Sequence, residues 1–252
     1  MPKIIKCHGS KGGKFKQLVK GGDDIRQDAI MQQVFSTVND LLSIRSSLQT
    51  NVDGNCSDWS KRSTVNRQLK LVTYGIVPLS PACGVLEWVE STLPFGAYLS
   101  DKGKTIGAHS RYYPGEWGHR QCLDKLAKPE TGKKDDPNWK REAYDQICMN
   151  FSPAFRFFFV ECFSHSLEAW HDAKTRYTRS CAVNSIVGHI LGIGDRHTHN
   201  ILIHEGTGEV VHIDFGIVFE QGKVRLELIS LLIESTLMIL KFSHYECLLE
   251  IV

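Results

Sequence analysis

Two short stretches carry side chains whose types and spacing suit the handling of phosphate. The first is Gly194-Asp195-Arg196-His197-Thr198-His199-Asn200; the second, beyond the apolar run Ile201-Leu202-Ile203 and a turn, is Val211-His212-Ile213-Asp214-Phe215-Gly216. Moving a phosphoryl group takes few kinds of part: a carboxylate that orients the attacking hydroxyl and accepts its proton, oxygen ligands for a divalent cation, and a cation facing the phosphates. Asp195 is a candidate for the first part, and Asn200 and Asp214 for the second. Lys20 closes the apolar run Gln17-Leu18-Val19 and is a candidate for the third, with Asp23, Asp24 and Asp28 just beyond it to hold its ammonium in place.

Spacing strengthens the set. In protein kinases an aspartate of the catalytic loop stands five positions ahead of a metal-binding asparagine, and an Asp-Phe-Gly aspartate follows a short hairpin. Asp195 and Asn200 are five apart and Asp214 opens Asp-Phe-Gly after such a hairpin, although the order of Asp, Arg and His is reversed. Each residue alone has a plainer use: Asp195 could cap a helix, Asn200 could serve a turn, and a lysine followed by aspartates is often a solvated surface. His197 and His199 do not have zinc-site spacing and no cysteine is close to them. The glycines from Gly9 to Gly13 do not make a Walker loop either, because the position that needs glycine is Lys14.

The elements that must position these residues follow from pattern. Strands around Lys3 to Cys7 and Lys14 to Lys20 flank the Gly9–Gly13 turn as a hairpin. Apolar residues at Ile25, Ala29, Val34, Val38, Leu41, Leu42 and Leu48 predict a long helix from Asp24 to about Leu48, with Asp23 or Asp24 at its start. Gln49 to Arg67 reads as a loop or insertion, Leu69 to Val77 as an apolar segment ended by a Pro78-Leu79-Ser80-Pro81 turn, and Val85 to Val89 as a strand. Leu93 to Leu99 reads as helical, Arg111 to Trp117 as a polar loop, and Lys128 to Lys140 as a charged linker. Pro153 to Phe163 is aromatic enough to demand burial, and Leu167 to Leu191 predicts a second long helix stopped by Gly192 and Gly194. Strands at Ile201–Ile203 and Val210–Ile213 close the series. A strand-and-one-helix half thus precedes a mainly helical half, with the boundary near Glu87 to Glu90, as in an α+β enzyme of two lobes with a cleft between them.

Bulk properties exclude little but direct attention to the motifs. Hydrophobic residues make up 42%, charged residues 23%, and net charge is +2, so nothing in the composition calls for nucleic acid or a membrane as partner. The eight cysteines are scattered singly, no charged-then-apolar leader opens the chain, and a reduced intracellular compartment is expected. No apolar run approaches the roughly 18 residues of a membrane span; the nearest, near the C-terminus, is broken by Glu234 and Lys241, and a soluble chain is expected.

Lys20-Gly21-Gly22-Asp23-Asp24-Ile25-Arg26-Gln27-Asp28, together with Gly194-Asp195-Arg196-His197 and His212-Ile213-Asp214-Phe215-Gly216, resembles the phosphatidylinositol-3-kinase-related protein kinases. Further segments resemble the ATM-like members of that family: Ala29 to Phe35, Gly84 to Trp88, Gly107-Ala108-His109, Tyr177 to Ser180 and Phe219 to Gly222. The resemblance implies a two-lobed kinase fold of the PI3/PI4-kinase type that transfers phosphate from ATP, with magnesium or manganese, to protein serine or threonine followed by glutamine. It implies Asp195 as base with His197 beside the transferred phosphate, and Asn200 and Asp214 as metal ligands. Lys20 would contact phosphate with Asp23 as its acidic partner, and Asp28 and Tyr74 would line the inner pocket. Glu87, Trp88 and Val89 would form the hinge against adenine, with Leu202 beneath the ring. It also implies nuclear DNA-damage signalling, with the cytoplasm as a second location, and DNA-break sensor proteins as partners through regions beyond this chain.

The likeness runs from about Pro2 to Lys223. The family carries a nucleotide loop ahead of Pro2 and a Pro-Phe-Arg-Leu-Thr segment and helices behind Lys223, so the expectation is a kinase domain incomplete at both ends. On this reading residues 1–88 are a partial N-lobe, 89–223 a C-lobe with the catalytic and Asp-Phe-Gly loops, and 224–252 a divergent apolar tail. Two alternatives stay open: an inactive truncated fragment that acts by binding, and a phosphatidylinositol lipid kinase. The second is disfavoured because Ile217 to Gly222 offers no lysine or arginine for a phosphorylated headgroup.

Overall fold

The computed structural model describes residues 2–50, 69–101, 105–127 and 138–219. Most of the expected loop at Gln49–Arg67, most of the linker at Lys128–Lys140, and the tail at 224–252 lie outside them.

The chain opens with strands β1 (Lys3–His8) and β2 (Lys14–Gly21), paired antiparallel from Lys3↔Val19 to His8↔Lys14. The turn between them closes through Gly9 N–H donating to Gly13 O at 2.8 Å and Gly12 N–H to Gly9 O at 2.9 Å, with Gly12 at φ +80, where a side chain would be strained. Helix α1 (Arg26–Thr50) begins two residues later than its periodicity suggested. Asp24 is the acidic residue that serves its start: its Oδ1 accepts from Arg26 N–H at 3.1 Å, and its carboxylate pairs with the Arg26 guanidinium. That guanidinium holds the Asp24 carboxyl down at about 2.

Strands β3 (Ile76–Ser80) and β4 (Cys83–Glu87) complete a sheet in the order β1-β2-β4-β3. Both depart from the sequence expectation. The turn falls at Pro81-Ala82, and β3 runs through Pro78, which an edge strand tolerates because its missing N–H breaks no interior ladder; the register slips between Pro78 and Ser80. β4 ends at Glu87, short of the expected Val89. Trp88 still donates its N–H to Lys16 O at 3.1 Å, but the chain then turns through Ser91 at φ 52, with Thr92 Oγ1 donating to Val89 O.

The expected helix at Leu93–Leu99 starts two residues late, its first two residues being strand. β5 (Thr92–Pro94) pairs with β6 (Ile201–His204), and only Phe95–Leu99 is helical (α2). A long-range strand partner, invisible to local periodicity, decides this. The expected loop from Arg111 starts inside α3 (Ala108–Tyr112), and Lys140, expected in the linker, lies in α5 (Trp139–Asn150), which packs on α4 (His119–Ala127).

The aromatic run does bury. α6 (Arg156–Phe163) and the residue before it supply Phe155, Phe158, Phe159 and Phe163 to a core with Phe95, Tyr98 and Tyr177. Phe155 packs on Tyr177 with ring centroids 5.3 Å apart and on Phe95 at 4.5 Å. Helix α7 (Leu167–Leu191) has the expected limits: Ser166 Oγ accepts from Ala169 N–H at its start, and Gly192 takes the left-handed conformation at its end. Its buried stripe, Ala173, Tyr177, Ser180, Asn184 and Val187, has helical spacing.

β6 and β7 (Val210–His212) form a hairpin and, with β5, a second sheet. Strand alternation sends its side chains to two cores. Ile201, Ile203 and Val210 join the aromatic core, whereas Leu202 and Val211 join a second cluster with Ile25, Met31, Phe35, Leu71, Tyr74 and Leu86. That second cluster ties the first sheet and α1 to the hairpin. Among the described residues no helix is long and apolar enough to cross a membrane.

Candidate functional site

Antiparallel pairing brings the two motifs together. Ile201 at the start of β6 pairs with His212 at the end of β7, so the segment before β6 and the one after β7 meet at the same end of the hairpin. Asn200 joins them. Its backbone O accepts from Ile213 N–H at 3.0 Å, and its Nδ2 donates to Asp195 O at 3.1 Å. Because Nδ2 is committed to a carbonyl, the orientation of the amide is fixed and Oδ1 becomes the outward acceptor.

Asp195 and Asp214 both have left-handed backbone, at φ 54 and φ 61, two of only four non-glycine residues with positive φ among those described. Aspartate tolerates this better than most residues, yet it still costs free energy that the surroundings must supply. Arg196 is a large part of those surroundings. Buried, it donates from Nε to Gly194 O at 2.8 Å, from Nη1 to Ile213 O at 2.8 Å, and from Nη2 to Asp214 O, while its guanidinium lies 5.3 Å from the centre of the Phe215 ring. One side chain thus staples the Asp195 loop to the Asp214 loop. Burial pulls the guanidinium below its ordinary value, against the charges of Asp214, Asp195, Tyr74 and Asp28.

The N-terminal motif arrives from the other side. Lys20 lies opposite Gly84 in the β2–β4 ladder, and a Cβ at position 84 would fall 2.1 Å from Ile25 Cδ1. Glycine there lets the start of α1 close over the strand. Lys20 Nζ is 3.5 Å from Asp23 Oδ2, with Asp23 mostly exposed. Asp28 is buried, and its Oδ1 accepts from Phe215 N–H at 2.6 Å. Burial pushes the Asp28 carboxyl up, against the Phe215 N–H and the Lys20 ammonium, while the Asp214 and Asp23 carboxylates push the same way as burial. Tyr74 is also buried, donates its N–H to Gln32 Oε1 at 3.0 Å, and has its phenol raised by burial and by the Asp28 charge.

Lys20, Asp23 and Asp214 are thus near enough to act on the charge of Asp28, and Asp28, Tyr74, Asp195 and Asp214 on that of Arg196, while Asn200 is tied to the Asp195 loop by its hydrogen bond. His197 is half-buried and close by in sequence, but its Nδ1 accepts from His199 N–H at 3.2 Å, leaving Nε2 as the nitrogen free to act outward. Glu87, Trp88 and Val89 follow the end of β4. The Glu87 carboxylate accepts from Gly75 N–H at 2.7 Å, and Glu87 N–H and Trp88 N–H are spent on Gly75 O and Lys16 O. Leu202 is buried in the same cluster as Leu86 and Tyr74.

Among the described residues no three His, Cys, Asp or Glu side chains gather as a metal-binding group. The Asn200 amide oxygen and the Asp214 carboxylate are hard oxygen donors of the kind that suits a magnesium ion whose remaining positions go to phosphate and water. The residues fit that group. Two contributors were not singled out from sequence: Arg196, and Gln27, whose Nε2 donates to Phe215 O at 2.8 Å. Both stand within quoted motifs, but their partners could not be read there.

Residues 14–229 match the family model described as phosphatidylinositol 3- and 4-kinase. The chain is 44% identical to the serine/threonine-protein kinase tel1 of Schizosaccharomyces pombe over 223 residues, which is 88% of this chain and 7% of that protein. It is 43% identical to the serine/threonine-protein kinase ATM of Arabidopsis thaliana, covering 88% of this chain and 5% of that one. Among solved structures, the FAT and kinase domain of CtTel1 superposes with a TM-score of 0.70 at 40% identity over 88% of this chain and 14% of its own. The chain thus spans a small fraction of the length of the relatives it matches.

Proposed function

As the chain belongs to the phosphatidylinositol 3- and 4-kinase family, we propose that it transfers the γ-phosphoryl group of ATP to serine or threonine of protein substrates. The observation that carries the proposal is the position of Asn200, bonded at once to the Asp195 loop and to the Asp214 loop. Its relatives' printed names, serine/threonine-protein kinases, favour protein over lipid as acceptor.

The roles follow from chemistry. Asp195 orients the substrate hydroxyl and takes its proton as the new bond forms. His197 offers Nε2 to the transferred phosphate. Lys20, partly buried beside Asp23, presents a positive charge to phosphate oxygens, and Asp28 and Tyr74 form the inner wall behind it. Asn200 and Asp214 hold magnesium, with manganese as the alternative; the ion supplies charge neutralisation of the phosphates. Val89 N–H is the donor this reading assigns to adenine, because Glu87 and Trp88 have committed theirs, and Leu202 underlies the ring. Residues 1–88 and 89–223 act as the two lobes. We extend the proposal, on the resemblance of its motifs to ATM-like kinases, to serine or threonine followed by glutamine as target, to nuclear DNA-break signalling, and to break-sensor proteins as partners.

The test is magnesium-ATP binding and phosphate transfer to a serine-glutamine peptide by the full chain, by Asp195→Ala and by Asp214→Ala. Transfer by the parent, reduced by about 100-fold or more in each variant, is expected. A parent chain that binds magnesium-ATP and transfers nothing overturns the activity and leaves a binding role.

A further inference from the structure

The Asp-Phe-Gly segment is held by its phenylalanine as well as by its aspartate. Three residues of α1 reach Phe215, each by a different group. Asp28 accepts the Phe215 N–H at 2.6 Å, Gln27 Nε2 donates to the Phe215 carbonyl at 2.8 Å, and the Phe35 ring meets the Phe215 ring edge to face at 5.3 Å. The sequence separations of these hydrogen bonds, 187 and 188 residues, mark them as tertiary contacts. Positions 27, 28 and 35 lie on adjoining strips of one helix face, because seven residues make nearly two turns. Phe215 itself is fully buried.

The consequence falls on the residue before it. Asp214 is held in left-handed backbone, and its carbonyl is taken by Arg196. With the peptide groups on both sides of Phe215 fixed by α1, the direction of the Asp214 side chain is set by the helix as much as by the loop. We infer that Gln27 and Asp28 are positioning residues, a two-pronged backbone clamp through which the seating of α1 sets the metal affinity of Asp214. Gln27 touches neither nucleotide nor metal in this scheme and acts only through Phe215. The inference rests on the assignment of Asp214 as a metal ligand.

Two measurements on the full chain test it. The first is amide hydrogen exchange across residues 211–219, and the second is the magnesium dependence of binding of a fluorescent ATP analogue. Gln27→Met keeps the length of the side chain and removes the donor. It is expected to speed exchange at Phe215 and to raise the half-saturating magnesium concentration by roughly ten-fold, about what one lost hydrogen bond yields. Nucleotide affinity at saturating magnesium should stay within about two-fold of the parent, which a general loosening of the fold would not allow. Gln27→His, whose Nε2–H can reach the same carbonyl, should restore both readings.

Unchanged exchange in Gln27→Met overturns the clamp, as does faster exchange with an unchanged magnesium curve. A parent that binds no magnesium-nucleotide overturns the clamp and the kinase reading together. A clamp that behaves as stated in a chain that transfers no phosphate leaves the inference standing while the kinase reading falls.

Discussion

Replacing Arg196 with methionine should loosen the site, although the residue does no chemistry itself. The guanidinium makes three bonds to the carbonyls of Gly194, Ile213 and Asp214 and is 8% exposed. Hydrogen bonds to a charged group contribute about 1.5–3 kcal/mol each, so three give a gross of roughly 5–9 kcal/mol. Burying the cation withdraws several kcal/mol of that. Methionine fills similar volume but leaves the three carbonyls without their donor and two strained aspartates without their staple, so the net loss should be about 3–5 kcal/mol. Urea unfolding followed by tryptophan fluorescence reads it directly. With a slope near 2 kcal/mol per molar, the midpoint should fall by about 1.5–2.5 M. Arg196→Lys keeps the charge but cannot span three divergent acceptors, and should recover less than half of the loss. A methionine variant with a midpoint within about 0.3 M of the parent would refute the staple.

Three other outcomes follow from the same geometry. A Cβ at Gly96 would lie 2.7 Å from Thr198 Oγ1 and 2.9 Å from His199 Cε1; Gly96→Ala should therefore displace the Asp195–Asn200 loop and cost about 1–3 kcal/mol, with phosphate transfer falling further than the melting temperature suggests. His109 is buried, stacks on Phe151 at 3.8 Å, and has its pKa lowered by burial, partly offset by Glu116 and then Asp101. A folded-state value below the unfolded one means that its contribution is complete above about pH 6.5 and is lost as pH falls through the lowered value; unfolding curves of His109→Phe between pH 7 and 5 should slope less than the parent's. Burial pushes the Cys122 thiol up to about 11, so at pH 8.5 iodoacetamide should modify it roughly 100-fold more slowly than a free cysteine, as read by peptide mass spectrometry, with a rate near that of free cysteine as the contrary result.

The meeting of the two motifs was legible because their parts are nearly contiguous. Asp195, Asn200 and Asp214 fall on either side of one short hairpin, and short uninterrupted apolar runs at Ile201–Ile203 and from Val210 announce that hairpin. Helix α7 was readable to its ends for a similar reason: Ser166 and Gly192 are local signals with local mechanisms. Leu93 and Pro94, the first two residues of the expected helix to Leu99, were misread because β5 exists only by pairing with β6 across more than a hundred residues, and nothing in its own pattern requires that partner. The end of β4 was misplaced because Trp88 continues to bond to Lys16 while the chain has already begun to turn.

Residue types and spacing alone placed a carboxylate, an amide and a second carboxylate on either side of one short hairpin, with a lysine near the end of an upstream strand. They could do so because covalent order fixes what lies on each side of a turn. Only the tertiary structure decided what holds those groups in place: Arg196 across two loops, and Gln27, Asp28 and Phe35 against Phe215. Such contacts depend on which faces of a helix and a loop are pressed together by the shared apolar cluster beneath them, a matter of packing that no local pattern records.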